Sequence, residues 1–293
     1  MSYFKSPPFY ITLVIMVFVS IMYFTFKDKY VVDYDNPSKI EIANKWTLPS
    51  SLDEISGIAF VDKNHMACIQ DEAGEIFIYN LTSGEVVKTI KFGDYEDYEG
   101  IAIVGKDAFV ARSDGKIYEV KNFMADNIEI KTYQTPLTKE DDLEGLCYDK
   151  NTNSLWLACK ESPDRDKLYK PIYRFDLASK KMMEEPIYKL KFDDPIFKDL
   201  NELGNEKTFR TSEIGIHPKT GDIYMVDGAI PKLLILNKKW EAQKLIVFDP
   251  DEFAQPEGIA FDDENKLYIS NEGEWKNANI LKVEIEEDKK NEH

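Results

Sequence analysis

Four glutamates, Glu99, Glu144, Glu213 and Glu257, each open an apolar run, and Ser56 opens a fifth. Asp71, Asp114 and Glu272 follow Ser56, Glu99 and Glu257 by 15 residues each, Asp227 follows Glu213 by 14, and Glu161 follows Glu144 by 17. Two apolar runs joined by a turn over that distance make a hairpin, so each lead residue and its returning acid are expected at the same end. Carboxylates gathered at one opening repel one another and need protons, water or a cation. A hard cation such as Ca²⁺ takes about six to eight oxygen ligands, carboxylates among them. The lead set Glu99, Glu144, Glu213 and Glu257 is therefore the candidate metal site. The returning set Asp71, Asp114, Glu161, Asp227 and Glu272 is a second acidic ring that faces a ligand. The same glutamates have a purely structural reading, in which each caps its strand by accepting neighbouring backbone N–H groups. The two readings are compatible. Glu54, two residues ahead of Ser56, is placed to stand in for the missing lead glutamate.

Other chemistry is sparse. Arg112, beside Ser113 and Asp114, is the one cation expected near the ring, either pairing with an acid or touching a ligand. The three histidines are His65 in a turn, His217 at the end of a first strand away from the glutamates, and His293 in the tail. No catalytic triad, nucleophile elbow, zinc motif or phosphate-cradling glycine loop can be assembled, and "DKNTNSLW" lacks the EF-hand pattern, so no catalytic residue or organic cofactor is assigned. Trp156 reads as core and Trp275 as a rim contact. The loop "GDYEDYEG" reads as a solvated turn.

The elements that must position these acids follow from internal repetition. "ISGIAFVDKNHMACIQDE", "YEGIAIVGKDAFVARSD", "LEGLCYDKNTNSLWLACKE", "SEIGIHPKTGDIYMVDG" and "PEGIAFDDENKLYISNE" align on lead residues separated by 43, 45, 69 and 44 positions. That spacing is near the four-strand blade period of ~40–45 residues in propellers. The long interval holds two insertions, "SPDRDKLYK" and "DDPIFKDLNELGNEKTFR". Each repeat has a third strand and all but the last a fourth, while "KIEIANKWTL" stands unpartnered ahead of the first repeat. The chain thus predicts an all-β, five-bladed β-propeller over residues 39–285, closed by the N-terminal strand entering the last blade. A sixth blade, the alternative, would need another four-strand unit between residues 160 and 211.

Net charge is −17, with no basic stripe, which argues against a nucleic acid partner. Cys68, Cys147 and Cys159 are odd in number and sit in apolar runs, the pattern of free thiols rather than a disulfide framework. Residues 9–26, "FYITLVIMVFVSIMYFTF", reach roughly 27 Å as a helix, enough for a bilayer core. No small-residue cleavage site follows, so they read as an uncleaved transmembrane signal anchor. Residues 1–8 are then a cytoplasmic N-terminus, 27–38 a tether and 286–293 a charged tail. The propeller is expected on the extracytoplasmic side of the cell envelope.

"LDEISGIAF", "DYEGIAIV", "DLEGLCYD", "TSEIGIHPKTGDIYMVDG" and "QPEGIAFDDENKLYISNEGE", after one apolar N-terminal segment, resemble the SdiA-regulated family of bacterial envelope proteins over residues 40–285. The resemblance implies a five-bladed propeller distantly related to NHL propellers, with a calcium site and no established catalysis. The calcium idea carries onto Glu99, Glu144, Glu213 and Glu257, and Ser56 departs from the pattern. The expected function is a calcium-binding ligand- or protein-interaction module with a protein, peptide or glycan partner. The alternative is a calcium-dependent hydrolase of the lactonase or esterase type, with the metal at the channel mouth and Asn271 and Asp227 near it.

Overall fold

The computed structural model describes residues 40–162, 169–198, 200, 208–273 and 276–285. The expected anchor, tether and tail and the rim residue Trp275 lie outside the described residues. No helix among the described residues is long and apolar enough to cross a membrane.

The chain opens with β1 (Ile40–Thr47) and then runs through five antiparallel sheets. Blade 1 is β2 (Ile55–Asp62), β3 (His65–Gln70), β4 (Glu75–Asn80) and β5 (Glu85–Lys91). Blade 2 is β6 (Tyr98–Val104), β7 (Asp107–Arg112), β8 (Lys116–Lys121) and β9 (Glu129–Gln134). Blade 3 is β10 (Leu143–Asp149), β11 (Ser154–Cys159), β12 (Tyr169–Asp176) and an outer edge split between β13 (Lys181–Met182) and β14 (Tyr188–Lys191), both paired with β12. Blade 4 is β15 (Thr211–Ile216), β16 (Ile223–Asp227), β17 (Lys232–Leu236) and β18 (Ala242–Val247). Blade 5 is β19 (Pro256–Phe261), β20 (Leu267–Asn271) and β21 (Asn279–Ile285), with β1 as its outer strand. The fold is the five-bladed propeller that the repeats predict. Of "DPIFKDLNEL", Pro195–Phe197 forms one 3-10 turn, whose N-cap Asp194 accepts the Ile196 N–H.

Burial explains the strand composition. The middle strands lie between neighbouring blades and are buried on both faces, so β3 and β4 read as unbroken apolar runs rather than alternating ones. Outer β5 and β9 face solvent and carry charges. Five apolar clusters result, one at each blade interface, with Ile69, Ile101 and Val110 between blades 1 and 2 and Ile172, Ile214 and Met225 between blades 3 and 4. Closure has the same physics. Trp46 of β1 stacks on Tyr268 and donates its indole N–H to Leu81 O at 2.8 Å, fastening blade 5 to blade 1. Cys68 and Cys159 are buried free thiols and Cys147 is a half-buried one.

Candidate functional site

The innermost strands β2, β6, β10, β15 and β19 line the channel, and each carries an irregularity one or two residues after its start. Tyr98 pairs with Arg112 but Gly100 with Ala111, so Glu99 is an extra residue. Glu144 and Glu257 are extra in the same way. A bulge re-aims the side chain of its extra residue, here at the mouth of the channel. The glycine that follows has a separate cause. A Cβ on Gly100 would lie 2.5 Å from Leu146 Cβ and 2.9 Å from Glu144 O, and one on Gly145 would lie 2.9 Å from Ile214 N. The repeated Glu-Gly is thus a bulge followed by a close crossing of two inner strands.

In blade 4 the extra residue is Ser212, because Thr211 pairs with Asp227 and Glu213 with Val226. Glu213 therefore stands where the other blades have glycine. Its Oε1 accepts the Leu146 and Ile214 N–H groups at 2.7 and 2.9 Å, while Oε2 is buried without a partner. Burial pushes its carboxyl well above the usual carboxylate range. Glu213 is a strand cap between blades 3 and 4, and it does not line the mouth.

The same register places the returning residues. Ile55, Leu143 and Pro256 pair with Gln70, Cys159 and Asn271, so Asp71, Lys160 and Glu272 occupy equivalent positions one step further on. Asp71, Ser113, Lys160 and Glu272 donate their N–H groups to Glu54, Asp97, Asp142 and Gln255 carbonyls at 3.2, 3.0, 2.8 and 2.9 Å. Three tiers of equivalent residues result: Glu54, Asp97, Asp142 and Gln255; Ser56, Glu99, Glu144, Ser212 and Glu257; and Asp71, Ser113, Lys160, Gly228 and Glu272. A Cβ on Gly228 would lie 2.5 Å from Glu257 Oε1, so the glycine leaves room for that carboxylate in its present position.

These tiers enclose a cavity of about 220 Å³ lined by six carboxylates, from Glu54, Asp71, Glu99, Glu144, Glu257 and Glu272, and by one cation, Lys160. Lys160 Nζ lies 2.7 Å from Glu144 Oε1. Burial, together with Glu54 and Glu272, pushes Asp71 up to about 7. Burial lifts Glu144 to about 8 against the pull of Lys160, and Glu257 to about 7 against Lys160, Gln255 and Ser212. Glu99 is driven well above the carboxylate range by burial and by Glu144. Lys160 stays charged despite burial because Glu144 is beside it. Asp71 Oδ1 is buried with no hydrogen-bond partner. Among the described residues no three acidic, histidine or cysteine side chains converge as a ready-made metal centre.

The structure brings Glu99, Glu144, Glu257, Asp71 and Glu272 together and places the other expected residues elsewhere. Asp114 is held by the Arg112 fork at 2.8 and 2.6 Å, and Arg112 also reaches Glu96 at 2.7 Å. Glu161 pairs with Lys170 at 2.7 Å. Asp227 pairs with the fully buried Lys232 at 2.8 Å and accepts the Arg210 and Ile230 N–H groups. Each of these acids has its own partner. A search for acids behind the lead residues misses Lys160, because its neighbour Glu161 is the acid.

A family model described as SdiA-regulated matches residues 35–275. No curated protein matches the chain. Among solved structures the chain is similar to the glutaminyl cyclase of Myxococcus xanthus, at 12% identity and a TM-score of 0.57 over 84% of this chain and 95% of that one. It is similar to the hydrazine synthase of Kuenenia stuttgartiensis, at 12% identity and a TM-score of 0.51 over 79% and 84% of the two chains. A streptogramin B lyase aligns at 11% identity and a TM-score of 0.50 over 84% and 98%. Likeness at such identity shows the propeller fold alone. With the family match covering most of the blades and all five lead segments, the chain belongs to the SdiA-regulated family.

Proposed function

We propose that this protein is a membrane-anchored, extracytoplasmic propeller whose acidic mouth takes Ca²⁺ and which acts as a ligand- or protein-interaction module for a protein, peptide or glycan partner. The observation that carries the cation reading is the imbalance of the mouth, six carboxylates against one lysine. The donor set fits a hard cation, being all oxygen, and Asp71 Oδ1 is an orphaned buried acceptor. Glu144 is engaged by Lys160, so Glu54, Asp71, Glu257 and Glu272 are the residues that would hold the ion, with Glu99 in the same lining. A bound divalent cation would supply the positive charge that the raised carboxylates lack. The anchor rests on the apolar run at residues 9–26. Thermal unfolding with Ca²⁺ and with a chelator tests the reading. A cation at 100 times its dissociation constant adds about 2.7 kcal/mol, and identical unfolding curves would overturn it.

A second reading, a calcium-dependent hydrolase of the lactonase or esterase type, is favoured by one observation. Asp71, lifted to about 7, is matched to a general base at neutral pH. Calcium-dependent hydrolysis of lactones or aryl esters that disappears in Asp71→Asn would support it over the binding module.

A further inference from the structure

At the strand ends opposite the acidic mouth, the turns of blades 3 and 4 enclose a cleft of about 490 Å³. Its chemistry is the reverse of the mouth. Lys150, Lys219 and Lys238 line it, and none has an ion-pair partner among the described residues, in a chain of net charge −17. His217 Nδ1 accepts the Lys219 and Thr220 N–H groups at 3.3 and 3.2 Å, which puts the ring proton on Nε2, where it has no acceptor among the described residues. The Trp156 and Trp240 indole N–H groups also lack one. The carboxylate in the lining, Asp149, is already occupied by the Asn151 N–H and the Thr152 hydroxyl, at 2.9 and 2.6 Å. The cleft therefore offers donors with few competing acceptors.

Two further features mark it as built. Trp240 has a left-handed backbone φ of 67°, unfavourable for a bulky residue, and its ring is held there by Tyr188 at 4.5 Å and Trp156 at 4.9 Å. Through Tyr148, Ile216 and Pro218 the cleft adjoins the far end of the channel, a cavity of about 340 Å³ lined by apolar side chains such as Ile58, Ile101, Ile214 and Phe261.

We propose that this cleft binds an amphiphilic organic anion, its carboxylate or phosphate oxygens met by Lys150, Lys219 and Lys238 and its apolar body lying past Trp156 and Tyr148 into the apolar end of the channel. Neither half suffices alone. Exposed lysines bind simple anions weakly in salt, and an open apolar chamber does not distinguish an acid from an alcohol.

The test is calorimetric titration of the intact chain in chelator, so that no cation at the mouth takes part, with octanoate, octanol and inorganic phosphate as probes. Octanoate is expected to bind at least about tenfold more tightly than either of the others, and Lys219→Glu with Lys238→Glu is expected to weaken it by about tenfold or more. Both lysines are exposed turn residues, and an unchanged circular dichroism spectrum confirms that the variant is folded. The proposal is overturned if octanoate gives no heat at about 10 mM, if octanol or phosphate binds as well, or if charge reversal leaves octanoate affinity unchanged.

Discussion

Lys160 Nζ lies 2.7 Å from Glu144 Oε1, in the position that Asp71 and Glu272 fill in their own blades. The acidic mouth is therefore lopsided. Blade 3 supplies the lysine of the cavity lining and pairs it with its own Glu144, while blades 1 and 5 contribute the carboxylates of Glu54, Asp71, Glu257 and Glu272.

Replacing that lysine tests how much the mouth depends on it. At pH 9, above the value of about 8 to which burial lifts Glu144, Lys160→Gln leaves it as an unpaired carboxylate that is 6% exposed. Because Lys160 itself is partly exposed, the expected loss is about 2 kcal/mol at pH 9, below the range for fully buried pairs. Urea denaturation measures it. The loss should shrink at pH 5, where Glu144 is protonated, and Ca²⁺ should restore stability. An unchanged midpoint at pH 9 would show that the pair contributes nothing.

The raised carboxylates set a pH profile of definite sign. Asp71, Glu144 and Glu257 bind protons more tightly folded, at about 7, 8 and 7, than they would unfolded. Between roughly pH 4 and 8 the folded state then holds more protons, and stability falls as pH rises. Acids held low, such as Asp114 beside Arg112, act only below that window. His217, whose pKa burial lowers, acts in the opposite direction as a single group. In chelator the Tm at pH 8 is expected at least about 2–4 °C below that at pH 5. In Glu144→Gln with Glu257→Gln the difference should shrink, with Asp71, Glu99 and Glu213 carrying what remains. A Tm that rises from pH 5 to 8 would contradict the electrostatics described for the mouth.

Asp227 and Lys232, 2.8 Å apart and both essentially inaccessible, test a different role for a returning acid. Lys232→Met strands a buried carboxylate and should cost about 3–5 kcal/mol. Adding Asp227→Asn should recover a large part of that loss. Full additivity of the two substitutions in denaturant titrations would mean that the pair does not act as a unit.

The crossing of inner strands gives a steric prediction. A Cβ at Gly100 overlaps Leu146 and the Glu144 carbonyl, so Gly100→Ala should destabilise by about 1–3 kcal/mol. At Gly105, φ is 63° and a Cβ meets nothing within 4 Å, so Gly105→Ala should cost only the backbone strain, about 1 kcal/mol. Equal effects on Tm would remove the close crossing as the reason for the repeated glycine.

The fold was legible because propeller blades repeat. Five lead segments at a nearly constant period, and one strand too many at the start, fix blade number and closure before any contact is known. The mouth was legible only in part. Glu99, Glu144, Glu257, Asp71 and Glu272 follow from their places around the hairpins. Glu213 does not, because the bulge in β15 falls on Ser212, and the 14-residue gap to Asp227 was the visible trace of that slip. Lys160 was hidden by its neighbour Glu161, since a fixed spacing cannot tell which of two adjacent residues faces the channel when hairpin turns differ in length. The basic cleft was hidden for another reason. Lys150, Lys219 and Lys238 are far apart in sequence and meet only because blades 3 and 4 are neighbours.

Calorimetric titration of the chain with Ca²⁺ at pH 7.5 tests the central claim most directly. The acidic mouth predicts saturable heat of near-unit stoichiometry, weaker binding of Mg²⁺, release of protons on binding, and loss of the signal in Asp71→Asn with Glu257→Gln. Absence of heat from the unaltered chain, with no change in Tm on adding chelator, would contradict it and leave the mouth as a set of strand caps sharing protons.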